Sequence, residues 1–399
     1  MPTFELNPVW TLLLALVTIE FGKRLNKVVV WLVLGNIPPA VSAGLVLSLA
    51  FAVARHFGWF DLKLDNGPRN LLLLVFFASL GFGAHLKQLA SAGGAAFAVC
   101  AAIAIAIVVQ NAVGIAVARA FGEPAALGLF MGSIAFLGGH GTATAWAEAP
   151  QAAGLAGAFE VGIGSATLGL VLGGLAAGPL AVWLMTRSRK GTAATVLYAQ
   201  PEAPAPVREP VFSSDRWLPA LLWLLICLAL GPLFGNWVKA TFGLGLPGFL
   251  TVMLVGVALT SALDLARRPL DTETTDLIGT VALRIFLAIA LLSLDWAALA
   301  KHLPMLLTAA AAQVVAIAVV AVAVIYLLMG RDRDAAAASG GFVGFGLGAM
   351  PVGLAVMRRL NARFGDTPRA LLAITLAASL FQDTANALIL TATFGWLGR

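Results

Sequence analysis

Long apolar blocks separated by short polar breaks dominate the chain. Leu71 to Ala84, Ala95 to Val117, Leu303 to Met329 and Ala370 to Phe394 are four of them. About 20 apolar residues in a helix cross the roughly 30 Å hydrocarbon core of a bilayer. The pattern predicts ten spanning helices. Their cores lie at 7–22, 37–54, 70–86, 95–118 and 158–186 in the first half, and at 217–238, 246–263, 277–294, 303–329 and 370–394 in the second. Two further apolar blocks, 126–149 and 335–355, are too rich in glycine for ordinary helices. Each interior glycine destabilises a helix by about 1 kcal/mol relative to alanine. They are predicted to be broken segments that enter the membrane and return on the same side, with irregular backbone covered by protein or lining a wet cavity. The expected fold is an all-α polytopic membrane protein.

Composition agrees. Of 399 residues, 60% are hydrophobic and 11% charged, where a soluble domain carries about 25% charged residues. The net charge of +6 does not indicate nucleic acid, because the basic residues sit in short clusters between apolar blocks, as topology signals do. Nothing basic precedes the apolar run from Pro8, and Lys23, Arg24 and Lys27 follow it, so a retained first helix fits better than a signal peptide. Cys100 and Cys227 lie inside apolar blocks and read as packing residues.

With the amino terminus outside and both glycine-rich blocks returning, seventeen Lys and Arg fall in cytoplasmic loops and seven outside, with Arg284 left in a span. Full crossing of both blocks gives at best 14 against 10. Both termini are then expected in the periplasm. Residues 187–216 form a basic linker with Pro201, Pro204, Pro206 and Pro210, expected to be a flexible cytoplasmic connector. It divides the chain into an amino-terminal unit, 1–186, and a carboxy-terminal unit, 217–399.

The two units resemble each other in order. Ile37-Pro38 and Leu246-Pro247 each open a helix, Gln110 and Gln313 each lie in a long fourth helix, and a glycine-rich segment then a long last helix follow. Five spans per unit is an odd number, so the second copy enters from the opposite face: an inverted repeat.

Candidate chemistry sits on these segments. In GSIAFLGGHGTATAW (132–146), Gly138, Gly139 and Gly141 let backbone groups approach a ligand, while His140 and Thr142 add polar side chains. GGFVGFGLGAMP (340–351) contributes Gly346, Gly348 and Ala349. Broken helix ends expose N–H groups that suit a carboxylate and carbonyls that suit a cation. Close helix packing at small residues is the plainer reading. Asp383 lies in SLFQDTANAL (379–388), with Asn386 one turn later. Together they offer oxygens to a sodium ion or a substrate amino group; a structural ion pair is the alternative. Gln110, Asn111 and Gln313 lie in mid-helix, where interhelical hydrogen bonding competes with ion binding. Glu160, near a predicted helix end, can be solvated.

The chain has no HExxH, GxSxG, Walker A or paired CxxC motif, and nothing else in it points to an enzyme. At LGGHGTATAWAE (137–148), FEVGIGSATLGLVLGGLAAGP (159–179), GFVGFGLGAMP (341–351) and FQDTANALI (381–389) the sequence resembles the bacterial sodium/glutamate symporter family. The resemblance covers nearly the whole chain. It implies sodium-driven uptake of L-glutamate across the inner membrane, five spans per half, a re-entrant loop before each last helix, a homodimer and no cofactor beyond the coupling ion. Under it, Gly138, Gly139, His140, Gly141, Thr142, Gly346, Gly348, Ala349 and Asp383 become substrate candidates. Gln110, Asn111, Thr142, Ser165, Gln313, Asp383 and Asn386 become sodium candidates. Met350 departs from it, standing where threonine is expected. Two rivals remain: a proton-coupled dicarboxylate carrier using His140 or Glu160, and a channel with glycine loops as its filter.

Overall fold

A computed structural model describes residues 2–29, 32, 37–83, 93–188, 214–243, 245–266 and 271–397. Residues 189–213, the bulk of the predicted linker, lie outside these. The helices in chain order are α1 (Pro8–Val28), α2 (Pro39–His56), α3 (Asn66–Phe82), α4 (Gly93–Ala120), α5 (Ala125–Leu129), α6 (Gly139–Ala147), α7 (Ala158–Arg187), α8 (Ser214–Phe242), α9 (Gly248–Leu265), α10 (Thr272–Leu292), α11 (Trp296–Lys301), α12 (Leu303–Val320), α13 (Arg333–Phe364), α14 (Pro368–Ala377) and α15 (Asp383–Leu397). A π turn, Ala321–Tyr326, extends α12, and another, Ala378–Gln382, joins α14 to α15.

Local chemistry sets the helix starts. The Asn7 side chain accepts from the Trp10 N–H at 3.0 Å ahead of α1, and Asp65 accepts from the Gly67 N–H at 2.7 Å ahead of α3. Such caps satisfy donors that the first turn leaves unpaired. Pro38 and Pro247 precede α2 and α9 with nearly the same backbone angles, φ −60° with ψ 144° and 145°. The proline pairing read from the sequence thus recurs as one local geometry.

Eight of the described helical stretches are long and apolar enough to cross a membrane: α2, α4, α7, α8, α9, α10, α12 with its π turn, and the continuous run α14–α15. The chain is a multi-pass membrane protein on that ground. The other two predicted spans are also helical. α1 carries Glu20, Lys23, Arg24 and Lys27 along its second half, and α3 has only 17 residues.

The helices pack in two groups, each drawn from both halves of the sequence. α1, α2, α3, α8, α9 and α10 pack together; α4 to α7 pack with α12 to α15. Backbones touch at glycines: Gly22 against Pro39, Gly81 against Gly256, Gly114 against Gly128, and Gly169 under the Leu347 carbonyl. Lipid offers helices no hydrophobic reason to associate, so close backbone approach carries the packing.

The glycine-rich blocks differ from each other. In the first, α5 and α6 are separated by turns at 130–138, and Gly139 has φ +72°. Both arms lie on α7: a Cβ on Gly162 would sit 3.1 Å from Ala143 Cβ and from Phe130 Cδ1. The second block is helical throughout, yet α13 folds back on itself. A Cβ on Gly344 would sit 3.1 Å from Gly353 Cα, and one on Gly341 would sit 2.6 Å from Met357 Sδ. Nine residues of straight helix would separate by about 13 Å. Glycine density in this block therefore marks close approach between two helical arms rather than loss of helix.

The expectation of an all-α chain needs one correction. Thr3–Glu5 (β1) pairs in parallel with Asp61–Lys63 (β2), Thr3 opposite Asp61. These strands stitch the amino terminus to the connection between α2 and α3; three residues are too few to show an alternating pattern.

Candidate functional site

The second packing group is crossed by amide side chains at full burial. Gln110 of α4 donates from Nε2 to the Gly346 carbonyl at 2.7 Å. Gln313 of α12 donates from Nε2 to the Gln110 and Met131 carbonyls, both at 2.8 Å. Each fourth-helix glutamine thus holds the other half's glycine-rich block. Donation from Nε2 leaves Oε1 of both residues buried without a partner among the described residues. Buried acceptors are normally satisfied, so such groups point to an ion or water at the same place.

A tighter cluster lies beside them. Asn111 Oδ1 accepts from the Ser133 N–H at 3.0 Å and lies 2.9 Å from Ser133 Oγ. Asn386 Oδ1 lies 2.7 Å from the same hydroxyl, and Asn386 Nδ2 donates to the Ser133 carbonyl at 3.2 Å. These bonds fix both amide orientations. The Ser133 hydroxyl has one proton and faces two carbonyl-type oxygens, so one of them goes without it. Asn111 Nδ2 is also buried without a partner among the described residues. Asn111, Ser133 and Asn386 gather three side-chain oxygens in one buried place, which suits a hard cation.

Asp383 begins α15, straight after the π turn. Gln382 Nε2 bridges the Leu137 carbonyl and Asp383 Oδ1, both at 3.0 Å. The carboxylate is thereby held at the tip of the first glycine-rich block. It has no basic partner among the described residues. Breaks in the α-helical ladder of this kind often sit at functional positions.

The remaining candidates sit elsewhere. His140 Nε2 lies 3.1 Å from Thr167 Oγ1, and that hydroxyl gives its proton to the Ile163 carbonyl at 2.8 Å. The imidazole therefore donates from Nε2 and ties α6 to α7, which is the structural alternative for a buried histidine. Gly138 is held small by Thr142, whose Cβ would lie 2.6 Å from an added Cβ. Gly141 faces Leu283 and Phe76 of the first packing group, and Gly348 packs on Leu170 and Val352. Ser165 Oγ is buried without a partner among the described residues. Ala349 lies in the fold-back of α13, and its side chain is outside the described residues. Met350 packs into the apolar core around α13. Sequence reasoning singled out neither Ser133 nor Gln382. Each stands beside a residue that drew attention, Gly132 and Asp383.

The sodium/glutamate symporter profile matches residues 4–366. The chain belongs to the sodium/glutamate symporter family. A sodium/glutamate symporter of Escherichia coli (strain K12) is 33% identical over 396 residues, 97% of each chain. One of Haemophilus influenzae is 33% identical over 389 residues, 96% of each chain. Within this family frame the amide network joins α4 and α12 to α15 and both glycine-rich blocks, and the last three carried motifs of the resemblance.

Proposed function

We propose that this chain imports L-glutamate with sodium across a bacterial inner membrane by alternating access. Ten spans form two inverted repeats, each with a re-entrant hairpin. The crosswise bonds Gln110 to Gly346 and Gln313 to Met131 support the repeat. The two fold-backs support the hairpins. The charge bias supports a cytoplasmic linker with both termini periplasmic. Two such chains form a homodimer, a reading that comes from the family resemblance.

The convergence of three buried side-chain oxygens at Ser133, with the unpartnered Oε1 atoms of Gln110 and Gln313, carries the ion assignment. Sodium binds through Asn111 Oδ1, Asn386 Oδ1 and Ser133 Oγ, with Gln110 Oε1 and Gln313 Oε1 as further ligands. These come from α4, α12, α15 and the first hairpin, so the ion pulls together segments that otherwise face one another with like partial charges. Asp383, without a basic partner, takes the glutamate ammonium. The start of α6 at Gly139 offers backbone N–H groups to a glutamate carboxylate. Sodium organises the hairpin before the amino acid binds, which couples the two.

Calorimetry of glutamate binding to purified Ser133→Ala and Asn386→Ala, across a sodium titration, tests this. Both variants should need at least tenfold more sodium to bind glutamate. Unchanged sodium dependence in both would remove the ion from this cluster.

A further inference from the structure

A groove of about 590 Å³ runs along the outside of α7 against the second arm of α13. Its floor is Gly174, Gly178 and Pro179, and a Cβ added at either glycine would meet nothing within 4 Å. Val182, Trp183, Val356, Leu360 and Phe364 line its walls, and Arg359 and Arg363 stand at its mouth, with no acid in the lining among the described residues. Arg187 lies beside the mouth, its guanidinium 4.1 Å above the Trp183 ring; Arg363 lies 5.2 Å from the Phe364 ring.

We propose that this groove holds one anionic phospholipid, an acyl chain along the glycine floor and the phosphate between Arg187 and Arg363. Three observations select this occupant. From Gly174 to Thr186 the groove runs about 18 Å along α7 at 1.5 Å per residue, close to the depth of one leaflet of a roughly 30 Å core. Trp183, 45% exposed, marks the interface level at the charged end. Basic pockets between helices at that level attract anionic headgroups. A second copy fits less well, because a two-fold contact through this face sets the arginines of one protomer against those of the other. The lipid would brace the hairpin arm against α7 without touching the sodium or glutamate residues, so this inference stands apart from the transport reading.

Native mass spectrometry of the full-length protein, titrated with dioleoylphosphatidylglycerol or dioleoylphosphatidylcholine, tests it. Wild type should bind the anionic lipid about tenfold more tightly. The double variant Arg187→Gln/Arg363→Gln should lose that preference, and Arg358→Gln, exposed but outside the lining, should keep it. Gly178→Leu, which fills open space, should weaken both lipids, and it carries the test alone if the double variant does not fold. Equal binding of the two lipids by wild type overturns the proposal. So does a Gly178→Leu variant that retains both lipids but loses its partner subunit, which would assign the groove to a second copy.

Discussion

The Gln110 amide donates to the Gly346 carbonyl at 2.7 Å across 236 residues of chain. With Gln313 reaching back to Met131, it ties each half of the sequence to the other half's hairpin. Gln110→Leu keeps the volume and apolar character of α4 but removes that bond. A hydrogen bond of this kind contributes about 0.5–1.5 kcal/mol net. A lower melting temperature and weaker sodium-dependent glutamate binding are expected together. A variant with wild-type values of both would show that the bond is dispensable.

Gly139 and Gly346 differ in what they tolerate. Gly139 has φ +72°, where an L side chain destabilises the backbone by about 1–2 kcal/mol. Gly346 is helical, and an added Cβ would lie 3.3 Å from Ile317 Cγ2. Gly139→Ala should therefore lose more stability than Gly346→Ala. Thermal unfolding of the two purified variants decides the order, and equal melting temperatures would argue against a strained turn at 139.

Arg69 and Glu148 meet at 2.6 Å, joining α3 to the end of α6 and so one packing group to the other. Burial pushes the Glu148 carboxyl above its usual range, and Arg69 opposes that shift. A carboxyl raised in the folded state favours folding at low pH and loses that advantage as pH rises through its folded value. Arg69→Gln removes the opposing charge and raises Glu148 further. The variant should be less stable than wild type by about 1–3 kcal/mol at neutral pH. Its deficit should shrink on acidification, as Glu148 takes up a proton. Melting curves from pH 8 to 5 provide the check; a constant deficit would assign Arg69 a packing role alone.

Asp271 illustrates the opposite sign. Its carboxylate accepts from Arg216 Nε at 2.7 Å, and that bond above all lowers it to about 2. Its contribution is full above about pH 4 and disappears as pH falls through about 2. Wild type should lose melting temperature across that window, and Arg216→Gln should lose less.

Much of this was legible in the sequence, for identifiable reasons. Buried amides in apolar helices advertise themselves, so Gln110, Asn111, Gln313 and Asn386 stood out, and they share one network. Prolines set helix starts by their own geometry, so Pro38 and Pro247 marked two helix starts with nearly the same backbone angles. Ser133 was not legible, because a hydroxyl beside glycine looks like a packing residue until its neighbours are known. His140 reads in the sequence as a ligand or as a buried histidine alike, because its partner Thr167 lies 27 residues away. Glycine density showed that the second block was unusual but not how: close approach between helical arms and broken helix leave the same composition. The β1–β2 ribbon was too short to have a period.

Sodium coupling is the central claim, and uptake measures it directly. Purified protein in liposomes would be given radiolabelled L-glutamate with an inward sodium gradient, an inward proton gradient or neither. Accumulation above equilibrium with the sodium gradient alone, with Asp383→Asn inactive yet folded, is the predicted result. Accumulation driven by protons without sodium, or wild-type uptake by Asp383→Asn, would contradict it.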